Sequence, residues 1–139
     1  MSQELGPRQL AWVEALEAHP ERQMTGSLGE GNTKSYKACC LGEACIVKAR
    51  LTKKSISKLF NSNSQLRVGN SKTILNENIK NYFKFYGGNG KIDHNKITSI
   101  TDKEKISDHL AWSNDNGATW LDIAKFVRAN PSAVFEYSI

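Results

Sequence analysis

Three cysteines, Cys39, Cys40 and Cys45, fall within seven positions and are the side chains with the most chemistry to offer. Upstream of them Tyr36-Lys37-Ala38-Cys39 reads as the end of a strand, whereas Leu41, Ala44, Cys45 and Lys48 recur at helical spacing. Cys39 and Cys40 are therefore expected near a helix N-terminus, a position that can lower a thiol pKa and expose a nucleophilic thiolate. Such a nucleophile needs a base, and His19, His94 and His109 exist, but the sequence places none of them beside it. The competing reading is that free cysteines act as small buried hydrophobes. Gly42 favours packing, because a glycine inside a helix costs about 1 kcal/mol against alanine and is more easily explained by close packing. Zinc fits poorly: Cys-Cys-x4-Cys is not a finger, knuckle or ribbon spacing, and no histidine follows at ligand distance. Nothing in the pattern calls for a metal or another cofactor.

These thiols depend on their surroundings, and composition bounds those. A chain of 139 residues is one domain by size and can bury a core without staples. An odd cysteine count, with two adjacent, is not a disulfide framework and points to a reducing compartment. No apolar run reaches membrane-span length and no secretion signal is visible, so a cytoplasmic protein with no membrane partner is expected. Charge is uneven. Residues 34–96 hold thirteen lysines and arginines against three acidic residues, a net +10 inside a chain whose total is +5. In that middle, Arg50, Lys53 and Lys54 lie at or beyond the expected helix end, and Lys80 and Lys84 flank Tyr82, Phe83 and Tyr86. These five cations are the candidate ligand- or nucleic-acid-binding residues, since phosphates attract ammonium groups and bases stack on rings. A solvated basic face over an aromatic core is the plainer alternative.

In chain order, residues 1–9 form a polar lead, with Gly6-Pro7 starting a helix that shows Trp12, Val13 and Leu16 to the core and ends at His19-Pro20. Met24 to Leu28, then Gly29-Glu30-Gly31-Asn32, then Ser35 to Cys39 predict a hairpin with a glycine-rich turn. Phosphate cradling by those glycines is weak, because no helix and no P-loop lysine follow. Residues 61–73 read as a flexible loop. Leu75, Ile79, Tyr82, Phe83 and Tyr86 share one helical face, stopped by Gly87-Gly88-Asn89-Gly90. A helix is expected from Glu104 to Trp112, a turn at Asn114-Asp115-Asn116-Gly117, and a helix capped by Thr119 with Asp122 in a near capping box. Asn130-Pro131 then ends it and starts a short last helix. An αα-hairpin is favoured over a DNA-reading helix-turn-helix, because Trp120 to Ala129 carries only Lys125 and Arg128 as cations. Asn114, Asp115 and Gly117 are noted as a structural or binding turn.

Three motifs carry a resemblance: Trp12-x-x-Ala15-Leu16; Cys39-Cys40-Leu41-Gly42-x-x-Cys45; and Leu110-Ala111-x-x-Asn114-Asp115-x-Gly117-x-Thr119-Trp120-x-x-Ile123-Ala124-x-x-Val127. Their order and spacing, from about residue 10 to 135, resemble a family of small proteins encoded by bacteriophages and prophages. The middle departs from it, with Leu75-Asn76-Glu77 where the family starts a helix with leucine-proline, and with more basic residues. The resemblance implies phage origin and action in a host cytoplasm; it supplies no reaction. The expectation is an α+β domain over residues 1–139, a small antiparallel hairpin packed on several short helices. For function the leading expectation is a non-enzymatic phage accessory protein that binds a host macromolecule or nucleotide signal, for host takeover or to blunt a defence. The alternatives are a nucleic-acid binder using the basic middle and a thiol enzyme at Cys39 or Cys40.

Overall fold

The computed structural model describes residues 4–67, 74–97, 106 and 108–139. The chain is α+β, as expected: a two-stranded antiparallel sheet lies against six α-helices among the described residues. One apolar cluster runs from Trp12 to Phe135, so the described segments share a single core.

The first helix, α1 (Pro7–Ala18), begins where proline loses nothing by lacking an amide proton. Gln9 locks its start: Oε1 accepts from the Gly6 amide at 2.9 Å, and Nε2 donates to the carbonyls of Phe83 and Tyr137, each at 2.8 Å. Gln9 is completely buried, which corrects the expectation of a polar lead over residues 1–9: the lead ends at Gly6. Trp12 donates from Nε1 to the Cys40 carbonyl at 2.8 Å and packs edge-on against Phe85 and Phe135. The helix is thus tied at once to the middle and the end of the chain.

The hairpin pairs β1 (Gly29–Gly31) with β2 (Tyr36–Ala38), Gly29 opposite Ala38. The glycines expected in the turn therefore stand in a strand, and the turn is 32–35, where Asn32 Oδ1 accepts from the amides of Lys34 and Ser35. Side-chain acceptance by Asn closes this turn without glycine. The proposed 61–73 loop is a structured turn over 61–67, closed by Asn61 Oδ1 on the amides of Asn63 and Gln65 and anchored by buried Leu66. Its remaining residues, Val68-Gly69-Asn70-Ser71 among them, lie outside the described residues.

Helix α2 (Cys40–Leu51) crosses the sheet so closely that a β-carbon at Gly42 would run into the Leu28 carbonyl. Helix α3 (Glu77–Phe83) is capped by Asn76, whose Oδ1 accepts from the Ile79 amide at 3.1 Å. It stops earlier than the apolar pattern suggests, because Lys84 adopts φ +67° and its carbonyl accepts from Glu136 at 2.8 Å. Tyr86 falls beyond the helix, and Phe85 instead bridges to Phe135. The proposed helix from Glu104 to Trp112 is likewise corrected. Residues 98–105 lie outside the described residues, Ile106 and Asp108 are not helical, and α4 runs Leu110–Asp115. His109 caps it, Nδ1 accepting from the Trp112 amide at 3.1 Å.

Asn114 and Asp115 accordingly close α4 and do not form the turn, which shrinks to Asn116-Gly117 with Gly117 at φ +111°. Helix α5 (Trp120–Ala129) starts with the expected reciprocal cap: Thr119 Oγ1 accepts from the Asp122 amide at 3.0 Å, and Asp122 Oδ2 accepts from the Thr119 amide at 2.9 Å. Helix α6 (Pro131–Val134) follows Asn130 at once. No helix among the described residues is long and apolar enough to cross a membrane.

Candidate functional site

The two longer motifs of the sequence, separated by some seventy residues, meet at Asn114. Its Oδ1 accepts from the Cys40 amide at 3.1 Å and from Gln23 Nε2 at 3.0 Å, while its Nδ2 donates to the Met24 carbonyl at 2.8 Å. Asn114 is almost completely buried, and all three bonds matter because a buried amide left without partners would cost about 1–3 kcal/mol. It thereby fixes the α2 N-terminus, the segment before the hairpin and α4 against one another.

On that junction opens a cleft of about 350 Å³. Cys39 is part of its lining, with His109, Trp112, Asp115 and Asn116 from α4 and its flanks, and with Ile74, Ser27 and Asn89. Trp112 and Ile74 are each 46 % exposed, whereas Trp12 and Trp120 are completely buried. Asp115 Oδ1 accepts from the Gly26 amide at 3.0 Å, and Asn116 donates from Nδ2 to the Trp112 carbonyl at 2.9 Å.

The cysteines behave unlike activated thiols. All three are buried and free. Cys39 Sγ caps α2 by accepting from the Gly42 amide at 3.3 Å, yet burial outweighs that bond and pushes its pKa up to about 11. Burial raises Cys40 and Cys45 as well. A helix start can lower a thiol pKa only when the thiolate retains solvation or a nearby cation. His109 lines the same cleft, a juxtaposition invisible in sequence, but its Nδ1 is engaged as the α4 cap. Among the described residues no cluster of three His, Cys, Asp or Glu side chains comes together that could hold a metal ion.

Neither a protein-family model, nor a curated protein, nor a solved structure matches the chain.

The basic residues sort into two groups. Arg50, Lys53 and Lys54 are exposed at and just past the C-terminal end of α2, Lys53 at φ +56°, where cations suit the helix dipole. None of the three sits over an aromatic ring among the described residues. A second group is built from distant segments. Arg8 of α1 lies 4.1 Å from the Tyr82 ring centre and donates to the Tyr82 carbonyl at 3.3 Å; Lys48 of α2 lies 5.5 Å from the same ring. Lys84, at the end of α3, lies 5.1 Å from the ring of Tyr137, which is half-exposed and whose carbonyl accepts from Gln9. Lys80, one turn earlier, pairs with Glu77 at 3.7 Å. Of the predicted cations, Lys84 thus meets the Tyr137 ring and Lys80 pairs with Glu77, while Arg8 and Lys48 share the Tyr82 ring and Arg50, Lys53 and Lys54 meet no ring among the described residues. Sequence reasoning missed Arg8 and Lys48, and no local signal marks them.

Proposed function

We propose that the chain is a non-enzymatic accessory protein, of the phage kind its motifs resemble, that acts in a host cytoplasm by binding a phosphate-bearing ligand, a nucleotide or a single-stranded nucleic acid. The observation that carries this reading is the pairing of cations with tyrosine rings, Arg8 and Lys48 at Tyr82 and Lys84 at Tyr137, on segments tied together by the Gln9 bonds to the Phe83 and Tyr137 carbonyls. Its three cations lie against rings that hold them in place, so little side-chain freedom is lost when a phosphate arrives. Tyr137 adds a half-exposed ring on which a base can stack. The buried, upward-shifted thiols weigh against the enzyme alternative.

The test is fluorescence anisotropy of a labelled single-stranded oligonucleotide across a salt series. Binding is expected to weaken steeply with salt, and the double substitution Lys48→Ala, Lys84→Ala to make the log–log slope shallower by about 1–2. The pair Lys53→Ala, Lys54→Ala should change it far less. Binding that ignores both pairs would sink the reading and leave a protein target, which capture from nuclease-treated host lysate would then reveal.

A further inference from the structure

The cleft beside Trp112 has chemistry of a different kind from the pairs of cation and tyrosine. Among the described residues its lining contains the Asp115 carboxylate and neither lysine nor arginine, a charge that disfavours an anion. What it offers is apolar surface from Ile74, Ala111 and Trp112 together with polar side chains, Ser27, Asn89, His109, Asp115 and Asn116. The half-exposed Trp112 supplies a ring face, and Ile74 a second apolar surface. With Oδ1 engaged by the Gly26 amide, Asp115 keeps Oδ2 as an acceptor. With Nδ1 accepting from the Trp112 amide, the neutral His109 ring carries its proton on Nε2 and is a donor. Asn116 spends its Nδ2 on the Trp112 carbonyl and keeps Oδ1 as a further acceptor.

We infer that this cleft takes an unpaired nucleobase in which an exocyclic amino group adjoins a ring-nitrogen acceptor, as in cytosine and adenine. The base stacks on Trp112, its amino group donates to Asp115 Oδ2, and its ring nitrogen accepts from His109 Nε2. Uracil presents the reverse pattern, a carbonyl where the amino group would be and an N–H where the acceptor would be. It therefore meets an acceptor with an acceptor and a donor with a donor. This inference does not depend on the pairs of cation and tyrosine, because a base without any phosphate satisfies it.

Free nucleosides test it on the intact chain. Trp12 and Trp120 are completely buried, so acrylamide quenching of the folded protein reads Trp112. Cytidine and adenosine are expected to protect Trp112 at concentrations at least ten-fold lower than uridine. Asp115→Asn can keep its oxygen on the Gly26 amide and present its NH2 to the cleft, which should move the cytidine-to-uridine ratio toward uridine. Equal protection by uridine, no protection by any nucleoside, or equal protection by methyl glucoside overturns the inference. The comparison on the unaltered chain decides the matter even if the variant unfolds. Loss of oligonucleotide binding by Lys48→Ala, Lys84→Ala with nucleoside protection intact would separate this cleft from the phosphate-binding cations.

Discussion

At the scale of single residues, two glycines show how differently the same substitution can act. Gly117 stands at φ +111° with open space where a β-carbon would go, so Gly117→Ala meets backbone strain alone. It should lower stability by about 1 kcal/mol in urea denaturation. Gly42 has no such dihedral, but its added methyl would collide with the Leu28 carbonyl and crowd Ala38. Because that carbonyl also accepts from the Cys39 amide at 3.0 Å, it cannot retreat without breaking a hairpin-to-helix bond. Gly42→Ala should therefore cost more than Gly117→Ala, about 2–4 kcal/mol. A smaller effect at Gly42 than at Gly117 would contradict the close crossing of α2 over the sheet. Cys39 belongs to the same contact: with its pKa pushed up to about 11, a thiol reagent at neutral pH should label the native chain no faster than the chain opens.

At the scale of elements, the junction at Asn114 is the part most exposed to a single change. Asn114→Ala leaves the Cys40 amide and the Met24 carbonyl without their partner, and we expect a loss of about 2–3 kcal/mol, while Thr119→Ala, which opens one solvent-facing cap, should cost about 1 kcal/mol. Equal losses in thermal melts would mean that Asn114 positions nothing. Elements whose ends are written in local chemistry were legible: Pro7, the pair Thr119 and Asp122, and Asn130-Pro131 all mark real boundaries. Those set by tertiary partners were not. The α3 stop depends on Glu136 bonding to the Lys84 carbonyl, and the α4 start on a histidine ring nitrogen doing what serine or aspartate usually does. The candidate sites divide in the same way. Asp115 and Lys84 stood out by motif and charge, but the joining of Cys39 and Ile74 to the Asp115 cleft, and of Arg8 and Lys48 to one tyrosine ring, unites segments that only the fold brings near.

At the scale of the whole molecule, the buried thiols predict a weakness in alkali. Cys39, Cys40 and Cys45 all have folded pKa values above their ordinary value of 9.0, and Tyr36, buried beside Glu43, is pushed up from 10.0 to about 12. Above pH 9 the unfolded chain sheds these protons first, the folded chain holds more of them, and stability falls as pH rises. Each such group removes about 1.4 kcal/mol per pH unit within its window. The melting temperature should hold level from pH 7 to about 8.5 and drop steeply between about 9 and 11; a flat profile through that range would show the thiols to be solvated. The clasp around Gln9 has a consequence of another sort, for the order of events in synthesis. A side chain near the beginning of the chain finds its last partner in the carbonyl of Tyr137, and Trp12 waits for Phe135. During synthesis α1 therefore holds its polar anchor incomplete until Tyr137 has emerged. Closure between residues so far apart in sequence slows folding.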